Sequence, residues 1–232
     1  MRQYDITELQ TSLGYGFRDK SLLEEALTHK SFHYENPKAA AEHNERLEFL
    51  GDSVLALVVI RHLFNLKDRL SEAVMSKIKS HIVKGSVLSE IAKEISLGNY
   101  LRVGKGEEES GGRHKKSLTS DALEAVIGAV YMDGGMEEAS AVILKLFTGR
   151  IEAIIESGDF IDHKTRLQEE TQMRFGVLPD YRITGTEGKE HKRIFTVEVY
   201  IGGRHSGSGT GRTKKEAESL AAKEALEGLS AG

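Results

Sequence analysis

Cysteine is absent from the 232 residues, which removes disulfides and thiolate metal ligands and fits a reducing compartment. No apolar run approaches the ~20 residues that a membrane span needs; the longest is Val54 to Ile60. The opening segment, Met1-Arg2-Gln3-Tyr4-Asp5-Ile6-Thr7-Glu8, is acidic and has no apolar stretch of the kind that directs export. A cytoplasmic protein with no membrane contact is expected. No glutamate has a histidine three residues later, so a di-iron carboxylate bundle lacks its ligand motif. Internal repeats and low-complexity stretches are missing too. The length allows one large or two small domains with a real core.

Charge is unevenly spread within a net charge of −4. From Ile161 onward 12 basic residues face 11 acidic ones, which leaves residues 1–160 with 20 against 25. Neither part is basic overall, so a nucleic-acid partner requires local concentration of positive charge. Arg204, His205, Arg212, Lys214 and Lys215, with no acid between them, provide one such interval. A solvated charged face is the plain alternative.

Periodicity divides the chain. Residues 1–156 read as successive helices with no strand alternation. Thr7-Glu8-Leu9-Gln10 and Ser21-Leu22-Leu23-Glu24 have the capping-box form. Helices are predicted from about Asn44 to Asn65, Ser71 to Lys84, Ser86 to Ser96, Ser120 to Met132 and Met136 to Ile155. Gly104 to Lys116, with four glycines and no periodicity, is expected to be a charged surface loop. A linker is placed at 157–161. Residues 162–230 then read as α-β-β-β-α: a helix from Lys164 to Phe175, strands at Tyr181 to Thr186 and Ile194 to Ile201, a Gly202-Gly203 turn, and a third strand ending in Gly207 to Gly211. Thr213-Lys214-Lys215-Glu216 is a further capping box, opening a helix to Leu226. The fold class is therefore multidomain, an all-α domain followed by an α+β domain.

Within the Asn44 helix, Glu45, Glu48 and Asp52 stand at i, i+3 and i+7, so their carboxylates share one narrow sector. Phe49, Leu55, Ala56, Val59 and Ile60 flank that sector, and Leu47, Leu50, Val54, Leu57 and Val58 fill the rest. Such a helix reads as one inside a core. A carboxylate in that setting takes up a proton unless a cation or firm hydrogen bonds hold it ionised. A solvated acidic strip near the helix start, where acids suit the macrodipole, is the other reading. Asp121 and Glu124 form a second acidic pair whose spacing also spells a capping box, and Gly128 one turn on would let another helix approach. Glu72 is a weaker candidate. Carboxylates from two helices that converge would suit Mg²⁺ or Mn²⁺ better than Zn²⁺. Phosphodiester hydrolysis fits such a site, needs no nucleophilic Ser or Cys, and calls for no organic cofactor.

Asn44-Glu-Arg-Leu-Glu-Phe-Leu-Gly-Asp-Ser53 resembles the signature of the ribonuclease III family. Gly111-Gly112-Arg113 followed by Asp121-Ala-Leu-Glu124-Ala is similar to its second acidic motif, and the C-terminal module resembles a double-stranded-RNA-binding domain. The likeness spans essentially the whole chain. It implies an all-α endonuclease domain over 1–156 and an RNA-binding domain over 162–230. It also implies a homodimer in which each subunit cuts one strand of duplex RNA. Glu48, Asp52, Asp121 and Glu124 would surround Mg²⁺, for which Mn²⁺ would substitute, with Asp52 and Glu124 the most sensitive to replacement. Glu45 and Glu72 would line the valley, and Phe49 would plug a socket in the partner subunit. The products would carry 5′-phosphate, 3′-hydroxyl and a 3′ overhang, and the role would be processing of ribosomal and other transcript precursors.

In the second domain the likeness assigns Thr165, Gln168, Glu169 and Gln172 to a minor groove, the loop holding His191 to the next, and Lys214 and Lys215 to the phosphates between. A-form duplexes are read through 2′-hydroxyls and phosphates, such a domain spanning ~16 base pairs. Thr213 replaces the usual Ser at the cap, a neutral change. Glu218 stands where many such domains carry a third Lys, so one phosphate contact and part of the salt dependence are expected to be lost. A duplex-binding scaffold with a dead nuclease is the rival reading, which the full set of carboxylates disfavours. A metallohydrolase for small phosphorylated substrates would leave the C-terminal module unexplained.

Overall fold

The computed structural model describes residues 6–40, 42–67, 69–157, 163–188 and 193–230. The chain divides into two compact units, Met1–Phe160 and Ile161–Gly232. The expected linker at 157–161 lies outside the described residues apart from Ser157, the last residue of a helix. Among the described residues no helix is long and apolar enough to cross a membrane.

The first unit is helical: α1 Ile6–Leu13, α2 Lys20–Ala26, α3 Lys30–Glu35, α4 Glu45–Phe64, α5 Glu72–Ile82, α6 Gly85–Glu94, α7 Lys105–Glu109 and α8 Lys116–Ser157. A single parallel bridge between Thr28 and Arg102 is its one β contact among the described residues. The most extensive helix pair is α4 with α8. Leu55, Val58, Val59 and Leu63 of α4 meet Leu123, Val126, Ile127 and Val130 of α8 in one apolar core, into which α1, α2, α5 and α6 also pack. Gly135, at φ 81° and ψ −172°, breaks α8 where the sequence separates two helices.

Several local expectations are corrected. Ser21 does not cap α2; Asp19 does, its Oδ1 accepting from the Ser21 amide at 2.9 Å. Thr7 lies inside α1, and Gln10 turns instead to accept from the Phe17 amide at 2.8 Å. The Gly104–Lys116 stretch is not plain loop. It contains α7 and a 3₁₀ turn at Gly112–His114, held because Arg113 donates to Glu108 Oε2 and to the Leu101 carbonyl.

The second unit comprises α9 His163–Phe175, β1 Asp180–Glu187, β2 Ile194–Ile201, β3 Arg204–Gly211 and α10 Lys214–Ser230. The strands form an antiparallel meander in the order β1-β2-β3. Alternation in β2 turns Val197 and Val199 inward, where they meet Leu167 of α9 and Ala217, Ala221, Ala222 and Ala225 of α10. The small residues on α10 have a counterpart in β3. A Cβ at Gly207 or Gly209 would lie 2.6 Å or 2.4 Å from the Ala221 or Ala217 carbonyl oxygen. Glycine and alanine thus let helix and strand approach backbone to backbone. The Thr213 cap is present, its hydroxyl accepting from the Glu216 amide at 3.1 Å. Glu216 answers one residue further back than the usual box, accepting from the Arg212 amide at 2.7 Å.

Candidate metal centre and basic groove

The acidic residues meet where α4 and α8 cross. A Cβ at Gly51 would fall 1.8 Å from the Glu124 carbonyl oxygen, and one at Gly128 would fall 2.2 Å from that of Leu47. No larger residue fits either position without parting the helices. Glu48 and Asp52 flank Gly51, and Glu124 lies one turn before Gly128, so the tightest contact of the crossing also gathers the carboxylates. Single oxygens of Glu48, Asp121 and Glu124 all lie within 4.8 Å of one another.

These three carboxylates are half-buried. No Lys or Arg pairs with them among the described residues; the one side-chain neighbour of Asp121 within bonding distance is the Ser120 hydroxyl, 3.1 Å from Oδ1. The consequence is a shifted protonation balance. Burial, reinforced by the charges of Asp52, Glu48 and Asp121, pushes the Glu124 carboxyl up to about 8. Burial, then the charges of Asp121 and Glu45, raise Glu48 as well. A group of hard oxygen donors carrying unneutralised like charge fits a divalent cation.

The rest of the expected acidic set is dispersed. Glu45 leaves the cluster for Lys30, whose ammonium donates to Oε1 at 2.8 Å and holds the carboxyl below its ordinary range. His43 Nδ1 stands 3.9 Å from the other oxygen. Asp52 is exposed and outside the three-residue group, though its charge acts on Glu124 more than any other does. Glu72 opens α5 on the surface, apart from the cluster. Asp121 is not an N-cap, because α8 starts five residues earlier at Lys116.

Helix α4 is not enclosed all round either. Phe49 is 81% exposed and Phe64 72%, with Leu57 and Ile60 exposed between them. Their spacing makes a stripe along one face. The apolar periodicity therefore records two faces, one buried in this unit's own core and one exposed.

In the second unit Thr165, Gln168, Glu169 and Gln172 stand on an exposed face of α9. Thr165 and Gln168 line a groove with Lys164, Tyr181, Lys214, Lys215 and Glu218. The groove thus joins the first turn of α9 to the first turn of α10. His191 lies outside the described residues. The basic interval seen in sequence is not one patch. Arg204 and His205 begin β3 whereas Arg212 to Lys215 follow its end, roughly 25 Å away at the rise of an extended strand.

Sequence reasoning missed Gly51, Lys30 and Lys164. Gly51 left a signal, because glycine inside an apolar helix costs stability and implies a close neighbour. Lys30 and Lys164 left none, since their partners Glu45 and Glu218 are distant in sequence.

Residues 19–151 match a model of the ribonuclease-III-like family, and residues 163–229 match the double-stranded RNA binding motif. A relative named Ribonuclease 3 from Syntrophotalea carbinolica is 45% identical over 221 residues, 95% of this chain and 95% of that protein. Another of that name, from Symbiobacterium thermophilum, is 46% identical over 215 residues, 93% of this chain and 90% of its own. Among solved structures, the nuclease domain of ribonuclease III from Campylobacter jejuni, described for flexibility in a region involved in dimer formation, is 42% identical with a TM-score of 0.58. It covers 62% of this chain and 97% of that one.

Proposed function

This chain belongs to the ribonuclease III family, a double-strand-specific endoribonuclease by that membership and by its RNA-binding motif, and we propose that it cuts at Glu48, Asp52, Asp121 and Glu124 with Mg²⁺. The observation that carries this reading is the cluster at the α4 and α8 crossing, three carboxylates within 4.8 Å with no Lys or Arg paired to them among the described residues. Mn²⁺ should substitute, being equally suited to hard oxygen donors. When bound, the ion would supply an activated water and a clamp on the scissile phosphate.

The residues around it have separable tasks. Glu124, pushed up to about 8 by burial and the neighbouring acidic charges, holds a proton until a cation faces it, and burial with the charges of Asp121 and Glu45 raises Glu48 in the same direction. Asp52 stands on the exposed side, where water and phosphate arrive first. Glu45 and Glu72 serve as valley residues, Glu45 restrained by Lys30. In the reaction, the water oxygen bonds to phosphorus, the bond to the 3′ oxygen breaks, and that oxygen takes up a proton. The ends are 5′-phosphate and 3′-hydroxyl, staggered as a 3′ overhang when each subunit of a homodimer cuts one strand. The exposed stripe from Phe49 to Phe64 supports that dimer, with Phe49 seated in the partner.

Thr165, Gln168, Glu169 and Gln172 would follow one minor groove, His191 the next, and Lys214 and Lys215 the phosphates between. The natural substrates would be precursors of ribosomal and messenger RNA in the cytoplasm. The test is incubation of the full-length protein with long duplex RNA, with and without Mg²⁺, reading fragment length and end chemistry. Short duplexes with 5′-phosphate ends, formed only with the ion, are expected. Cutting that persists in EDTA, or equal cutting of single strands, would overturn the reading.

A further inference from the structure

Lys164 lies in the first turn of α9 and lines the same groove as Lys214 and Lys215 in the first turn of α10. Its ammonium donates to Glu218 Oε2 at 2.6 Å and lies 4.8 Å from the centre of the Tyr181 ring. Glu218 stands four residues after Lys214 and three after Lys215, near enough on one helix to pair with either. It reaches across to α9 instead, and no carboxylate pairs with Lys214 or Lys215 among the described residues. Three ammonium groups at two helix N-termini oppose both macrodipoles and one another. Anions from outside the protein would relieve all of these repulsions together.

We propose that Glu218 is a positioning residue that fixes the Lys164 ammonium in the groove as its third phosphate-binding cation. This inference rests on the reading of the groove as the duplex-binding surface. A lysine ammonium has three N–H donors, so one bond to Glu218 leaves two for phosphate oxygens. The Tyr181 ring and the Glu218 carboxylate order the flexible side chain before RNA arrives, which lowers what binding must spend on ordering it. Charge counting gives the opposite expectation, in which an acid beside two lysines only weakens the groove. The two views therefore predict opposite signs for one substitution.

The experiment measures binding of the full-length protein to a short RNA duplex in EDTA across a salt series. The variants are Lys164→Gln, Glu218→Gln, their double, and Lys214→Gln. Lys164→Gln should weaken binding about three- to tenfold and lower the slope of log affinity against log salt by about one phosphate contact. Glu218→Gln should weaken binding too, although it removes a negative charge. The double variant should be no weaker than Lys164→Gln, the mark of two residues acting through one contact. Tighter binding by Glu218→Gln would overturn the proposal. So would an unchanged salt slope in Lys164→Gln accompanied by a lower melting temperature, which would mark a pair that only ties α9 to α10. Loss of affinity in Lys214→Gln but not in Lys164→Gln would remove this inference and leave the groove standing. A wild-type protein that fails to bind the duplex would remove both.

Discussion

In the N-terminal unit Glu48, Asp121 and Glu124 gather, with the charge of Asp52 acting on Glu124 from outside the group and no Lys or Arg paired to any of the four among the described residues, whereas in the C-terminal unit Lys164, Lys214 and Lys215 share a groove with a single carboxylate, Glu218. The acids are mostly half-buried against a helix crossing that cannot open, while Lys214 and Lys215 are exposed. Burial makes like charge expensive, so the first site shifts its protonation and suits a multivalent ion. Exposure lets the second keep its charge with mobile counterions and exchange them for phosphates. The nuclease unit should therefore answer to pH and ion valence, and the RNA-binding unit to ionic strength.

The sharpest break between the two is expected from Glu124→Ala or Asp52→Ala. Cleavage should fall by about a thousandfold or more while duplex affinity in EDTA stays within about threefold, since the proposed function assigns these side chains to the reacting phosphate and not to the groove. Gel-based cleavage rates and equilibrium binding measure the two arms; ion-dependent cutting retained by either variant contradicts the metal assignment. Next in size is removal of residues 161–232. Cleavage at moderate salt should drop by about ten- to a hundredfold and recover at low salt, where the remaining contacts are less screened. A truncated chain that is inert at low salt would show that the units do not divide binding from cutting.

A smaller effect separates the units by pH. With Glu124 pushed up to about 8, an incoming ion must displace a proton at neutral pH. The Mg²⁺ concentration for half-maximal cleavage should rise as pH falls below that value, by up to about tenfold per pH unit for one proton displaced. Duplex binding in EDTA should stay nearly level from pH 7 to pH 8.5, in titrations run alongside. The smallest effect is on stability. Because Glu124 is raised from 4.5 to about 8, the folded chain holds a proton that the unfolded chain has lost between those values. Ion-free protein should lose stability as pH rises through that window. Solvent access to the carboxyl trims the effect. Glu124→Gln, uncharged throughout, should melt a few degrees above wild type at pH 8 in EDTA and level with it near pH 4. A variant that melts lower at pH 8 would mean that the carboxyls are not repelling one another.

What was legible in the sequence followed from regular spacing. The helical period sets Glu48 on one sector of its helix, the short spacing of Asp121 and Glu124 marks a second acidic pair, the three carboxylates lie close together, and β2 is marked because Val197 and Val199 alternate with polar residues. What was hidden depended on partners far along the chain. Glu45 belongs with its neighbours by period, yet Lys30 takes it away. Asp121 has the spelling of a cap, but the helix had already begun. Asp19 caps α2 where the capping-box spelling points to Ser21, since the spelling does not fix the backbone path that decides which side chain reaches the free amides. α3 went unseen because six residues are too few to show a period. The apolar circumference of α4 is hydrophobic as the period predicts but not enclosed as expected, because period cannot tell a buried apolar face from an exposed one.

The contact between Gly51 and Gly128 bears on how this enzyme can change over generations. Each glycine meets main chain, the Glu124 carbonyl on one side and the Leu47 carbonyl on the other. Main chain cannot be trimmed by a second substitution, so a bulkier residue at one position has no compensating partner at the other. Most core positions drift by exchanging volume with their neighbours. These two should form an epistatic dead end, at which a saturation screen for cleavage recovers glycine alone while positions a turn away vary. The geometry of the carboxylates is thus inherited through two residues that carry no chemistry of their own.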